Sequence, residues 1–152
     1  IYNHELKLNS SKYLQINKNL IPTGRSKNVK NSIYNFLQFE NIGKKLEYFR
    51  TKKLNIKFKG FDNTFVVNKN TRNFVGSLKN NNNNIQIDFF SNLPGVQLYT
   101  AQNLNYKKKL YPYQGICLET QYFPDAPNKK NFPSTLIKPN KRYTCFTKIK
   151  IN

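Results

Sequence analysis

The sequence has no tryptophan, no methionine, one histidine, two cysteines and only seven acidic residues among its 152. Ile1 stands where a translated chain carries Met, so the sequence reads as a piece of a longer protein or as a chain trimmed at its N-terminus. Without tryptophan, aromatic packing falls to 10 Tyr and 12 Phe residues. Cys117 and Cys145 are far apart, form no CxxC pair, and cannot make a zinc site with the lone His4 at any standard spacing. Both read as small apolar strand residues, and no metal or cofactor is expected. No stretch is long and apolar enough to span a membrane, and no signal peptide is visible. A membrane is therefore not an expected partner, and the expected compartment is the cytoplasm. Also missing are an activated nucleophile and a glycine-rich phosphate loop.

What is abundant is positive charge. The 26 Lys and Arg residues give a net charge of +19, which on its face points to nucleic acid or another polyanion. The composition argues otherwise. Lys greatly outnumbers Arg, and Asn is frequent, with a homopolymeric run from Asn80 to Asn84. Lys, Asn, Ile, Phe and Tyr are the residues an A+T-rich genome over-produces, whereas nucleic-acid recognition favours the bidentate fork of Arg. Mutational bias with a solvated surface is the preferred reading, and nucleic acid is not an expected partner.

The length fits one domain with a real core. Most of its pattern has period two. "HELKLN" places Leu6 and Leu8 on one face and Glu5 and Lys7 on the other. "LNIKFKGF" alternates through Leu54, Ile56 and Phe58. "TFVVN", "RNFVGSL", "NIQIDFF", "GVQLYT" and "GICLETQ" are short, rich in β-branched and aromatic residues, and bounded by Asn, Gly or Pro. "RYTCFTKIKI" puts Tyr143, Cys145, Thr147, Ile149 and Ile151 on one face. One segment, "NIGKKLEYFR", brings Ile42, Leu46 and Phe49 together at helical spacing, and one or two helical turns are expected there. The Asn80–Asn84 run reads as a hairpin loop. Many short strands separated by turn signals predict an all-β sandwich or barrel.

With so few carboxylates, each can be weighed. Glu5 sits on a polar face, and Glu40 and Glu47 lie among lysines as weak surface pairs. Asp88 is in a strand with no clear facing, and Asp125 in "FPDAPN" has the pattern of a turn residue bonding its own backbone. Asp62 follows Gly60 and Phe61 at a break between strands. Glu119 is flanked by Leu118 and Thr120, so alternation sets Cys117, Glu119 and Gln121 opposite Ile116, Leu118 and Thr120. If Leu118 faces the core, Glu119 faces solvent or a cleft. Spacing alone leaves both readings of Glu119 open, a solvated strand carboxylate or a site.

"LPGVQLYT" followed by "GICLETQYFPDAPNKKNFPSTLIKPNKRY" resembles the C-terminal half of the aldose 1-epimerases, the galactose mutarotases. "NLIPTG" at 19–24 and "KGFDNTFVV" at 59–67 match in the same order, and "IYNHELKLNSSKYL" resembles the strand before the first of these. The resemblance runs over nearly the whole chain but over only about half of a family member. It implies a large β-sandwich of which residues 1–152 are the C-terminal part, with a sugar bound on a concave face. Implied too is interconversion of the α and β anomers of hexoses such as galactose and glucose. Carried over by position, Glu119 is the general base that takes the C1 hydroxyl proton, and Asp62 and Gln97 hold sugar hydroxyls.

The family's acid is a His in an NHxYF segment that precedes Ile1; His4 matches a different, structural His. The expected partners are therefore a hexose and the N-terminal half of the same protein, and the fragment alone is expected to be inactive. "LQIN" and "YTAQNL" depart from the family pattern without touching a matched catalytic position. Two alternatives share the fold: a sugar-binding or regulatory module without catalysis, and a hexose-phosphate epimerase.

Overall fold

A computed structural model describes residues 1–51, 59–69, 72–107 and 109–152. The alternation expected over Leu54–Phe58 lies outside these residues.

The period-two segments form two antiparallel sheets. The first contains β1 (His4–Leu8), β4 (Glu40–Asn41), β6 (Phe74–Asn80), β7 (Ile85–Ser91) and β10 (Thr147–Ile151), in the order β10-β7-β6-β1-β4. The second contains β2 (Lys12–Ile16), β3 (Pro22–Asn28), β5 (Asp62–Val66), β8 (Gly95–Tyr99) and β9 (Cys117–Gln121), in the order β3-β2-β5-β8-β9. Leu6, Leu8 and Leu78 from the first sheet share one apolar cluster with Phe65, Val96 and Leu98 from the second. The fold is a β-sandwich.

A helix, α1 (Ile42–Thr51), closes one side of the core with Ile42, Leu46 and Phe49 buried. It is longer than the one or two turns expected from its pattern. Asn41 offers its side-chain oxygen to the backbone N–H of Lys44 at 2.9 Å, a cap that starts the helix despite Gly43. Aromatic rings centre the core. Phe61 meets Phe36 and Phe49 edge-on, with centroids 5.2 and 5.0 Å apart. Phe36 also packs edge-on against Phe65 at 6.0 Å. Such pairs add about 0.5–1.5 kcal/mol each beyond area burial.

Two expectations change. β10 begins only at Thr147, so Tyr143 and Cys145 lie outside the strand, and Cys145 is exposed rather than packed. Asp125 does sit in a turn, at φ 60°, but it holds side chains rather than its own backbone: it accepts from the Asn128 amide and pairs with Lys129 at 2.6 Å. Glu5 faces away from the buried Leu6 and Leu8 and pairs with Lys79 on the neighbouring strand at 2.8 Å.

Asp88 lies opposite Ser77 and accepts hydrogen bonds from Ser77 (2.6 Å), Gln86 (2.8 Å) and Asn152 (2.8 Å). Burial disfavours its charge, but these bonds outweigh burial and hold its pKa below the ordinary value. A depressed carboxylate adds stability that is present above its unfolded pKa, about 4, and is lost as pH falls through the folded value. Asp88→Asn is therefore expected to lower the thermal midpoint at neutral pH and to flatten its decline below about pH 4. Parallel acid titrations of the midpoint in parent and variant check this.

Candidate functional site

Residues directly opposite each other on antiparallel strands project to the same face, with Cβ atoms about 5 Å apart. In the second sheet Thr64 lies opposite Gln97, and Gln97 opposite Glu119. One step along, Asp62 lies opposite Tyr99, and Tyr99 opposite Cys117. These side chains share the face that points away from Phe65, Val96 and Leu98. Asp62, Gln97 and Glu119 are thus brought together on three adjacent strands, although up to 57 positions separate them in sequence.

The polar groups are linked. Gln97 Nε2 donates to Asp62 Oδ1 at 2.7 Å, and the Thr64 hydroxyl donates to Gln97 Oε1 at 2.5 Å. Asp62 keeps Oδ2 and Gln97 keeps one N–H for another molecule. Glu119 is exposed. Cys117 lies beside the two carboxylates: burial, then the charges of Glu119 and Asp62, push its thiol pKa up, so the thiol stays protonated at neutral pH. His4 is in β1 of the other sheet and joins none of these groups.

The corner that delivers Asp62 is held from beneath. Phe61, fully buried, donates its backbone N–H to Thr100 Oγ1 at 2.9 Å and accepts from the Thr100 N–H at 3.1 Å. Gly60 makes this approach possible, because a Cβ there would lie 2.6 Å from Thr100 Oγ1 and 2.8 Å from Gln102 Oε1. The Thr of "LYT" and the Gly of "GFD" are therefore two sides of one clamp. Thr100→Val would leave the Phe61 N–H buried without an acceptor. The expected loss is about 1–3 kcal/mol, read as a lower urea midpoint at unchanged slope.

A second support comes from "YFPDAPN". The turn at Asp125 and the single 3₁₀ turn Ala126–Asn128 lead to Asn131, whose amide donates to the backbone oxygen of Gly24 on β3. Phe123 and Phe132 pack edge-on at 5.0 Å in the same segment. The segment thus ties the chain leaving β9 back to the opposite edge of the sheet.

Within the row exposure rises from Thr64, which is 3% exposed, to Glu119, which is exposed. A cavity of about 530 Å³ lined by Val66, Leu93, Pro94 and Phe123 lies past the far end of β5, and none of Asp62, Gln97 or Glu119 lines it. Polar chemistry outweighs concavity here, because that cavity holds no carboxylate. Among the described residues no group of three or more His, Cys, Asp or Glu side chains is placed to hold a metal ion. No helix among them is long and apolar enough to cross a membrane.

Fold and row together define a β-sandwich protein that presents carboxylates and an amide from a rigid sheet, the group types that pair with hydroxyl-rich ligands. The aldose 1-epimerase family model matches residues 1–150, and the chain belongs to that family. It is 31% identical over 150 residues to the galactose mutarotase of Bos taurus, covering 94% of this chain and 42% of that protein. The galactose mutarotase of Homo sapiens is 30% identical over 150 residues, with the same coverage. The fold matches that of a C. elegans aldose epimerase homologue with a TM-score of 0.81 at 20% identity, covering 99% of this chain and 45% of that one. It also matches a galactose 1-epimerase from Lactobacillus acidophilus with a TM-score of 0.73 at 19% identity, covering 99% and 44%. The chain spans less than half the length of these relatives.

Proposed function

We propose that the chain is the C-terminal part of a single β-sandwich domain in an aldose 1-epimerase acting on hexoses such as galactose and glucose. The observation that carries this reading is the Asp62–Gln97–Glu119 row in a member of this family. Mutarotation requires the C1 hydroxyl to lose a proton while the ring oxygen gains one; the C1–O5 bond then opens, the aldehyde turns over and the ring recloses. Glu119, exposed and unengaged by Gln97, takes the C1 proton. Asp62 Oδ2 and the free N–H of Gln97 hold neighbouring hydroxyls, one as acceptor and one as donor. A base and an acid at fixed separation each contribute about 10²–10⁴-fold, and the sheet fixes the base relative to the hydroxyl-holding groups.

The acid is supplied by the N-terminal half of the protein. Ile149 and Ile151 on β10 are 59% and 71% exposed although they lie opposite Phe89 and Ile87, so the apolar side of this edge is uncovered. Edge strands left bare in this way need a partner. Both cysteines are free, which suits a reducing, cytoplasmic compartment.

Polarimetry of freshly dissolved α-galactose and α-glucose tests the reading. The complete protein is expected to speed the change in optical rotation, and residues 1–152 alone are not. A complete protein that binds hexose without changing the rate would replace this reading with that of a sugar-binding module.

A further inference from the structure

Resting on the reading above, we infer that Thr64 is a positioning residue for the sugar site, fixing which way the Gln97 amide faces. Thr64 is 3% exposed and lies opposite Gln97 on the neighbouring strand. A threonine in a strand has few χ1 choices. Here its methyl is accommodated by Gly95, where an added Cβ would lie 3.0 Å from both Thr64 Cγ2 and the Phe123 ring. With the methyl on that side, the hydroxyl turns to Gln97 Oε1 at 2.5 Å.

The consequence is directional. Asp62 Oδ1 is an acceptor and takes one Gln97 N–H at 2.7 Å. A hydroxyl has one proton to donate, and Thr64 gives it to the amide oxygen. The amide is thus bonded at both ends, and the remaining N–H is what it offers to a ligand hydroxyl. Without the Thr64 hydroxyl, a half-buried carbonyl loses its donor and the amide is held at one end only. Its other end is then free to rotate toward the ligand or water, and the donor–acceptor pattern is no longer set before binding. Thr64 lies two positions from Asp62 and directly opposite Gln97, and its only proposed route to the ligand is through the Gln97 amide.

The test is steady-state mutarotation by the complete protein with galactose. Thr64→Val keeps the shape and removes the hydroxyl; Thr64→Ser keeps the hydroxyl and removes the methyl. The expected result is a KM raised about tenfold in Thr64→Val, with kcat within about twofold of the parent and KM largely restored in Thr64→Ser. Should Thr64→Val fail to fold, Thr64→Ala takes its place, and the Ser–Ala difference isolates the hydroxyl. Equal KM in parent and Thr64→Val, or equal losses in the hydroxyl-bearing and hydroxyl-free variants, would overturn the inference. A parent protein without mutarotase activity would instead overturn the functional reading beneath it.

Discussion

Glu119→Gln is expected to leave the fold intact and to slow mutarotation by the complete protein about 10²–10⁴-fold. The two halves of that expectation have separate causes. Glutamine has the same shape and side-chain length as glutamate, and position 119 is exposed on β9, so no buried group is orphaned by the change. The neighbouring rows are untouched: Leu118 still lies opposite Leu98 on the core side, and Thr120 opposite Val96. What the variant lacks is a group able to accept a proton as the C1 hydroxyl ionises. Asp62 does not stand in, because it is two strands away from β9 and already engaged by the Gln97 amide. KM is expected to change far less than kcat, since Asp62 and Gln97 still hold the sugar. A variant with the parent's kcat would remove Glu119 from the mechanism, and the base would have to be sought elsewhere.

The second large effect is on stability. Phe61→Ala is expected to cost about 3–5 kcal/mol, a large share of the roughly 5–15 kcal/mol that separates a folded domain from its unfolded chain. Phe61 is fully buried and meets Tyr34, Phe36 and Phe49 at centroid distances of 5.8, 5.2 and 5.0 Å. It is therefore the point where the second sheet, the helix and the loop before it converge. Truncation leaves a void among rings that cannot all close on it, because Phe36 and Phe49 are also set by their own segments. The change reaches the site as well, since Asp62 follows directly and its corner is fixed by the bonds between Phe61 and Thr100. Urea unfolding of the parent and variant measures the loss; a difference below about 1 kcal/mol would show that the aromatic cluster collapses around the gap.

Much of this arrangement was legible in the sequence. Leu6 and Leu8 alternate with polar residues and are buried as expected. Period two set Leu118 and Glu119 on opposite faces without saying which face is the core; Leu118 packs against the core and Glu119 is exposed. Other parts were not legible, for physical reasons. β3, "PTGRSKN", has no alternation of apolar residues because it is an edge strand and mostly exposed. "RYTCFTKIKI" alternates throughout, yet only its end finds a partner in β7, and strand structure stops where pairing stops. The clamp on Asp62 depends on Thr100, 39 residues from Phe61, and such a contact has no local signature. Thr64 was hidden in a different way. Threonine is a common strand residue, and only the register with Gln97 distinguishes it from any other.

The most direct measurement is a crystal structure of the complete protein with galactose bound. The sugar is expected on the face of β5, β8 and β9, with hydroxyls about 3 Å from Asp62 and Gln97 and the C1 hydroxyl beside Glu119. Galactose seated elsewhere, for instance in the cavity beside Phe123, with all three side chains free of contact, would contradict the account.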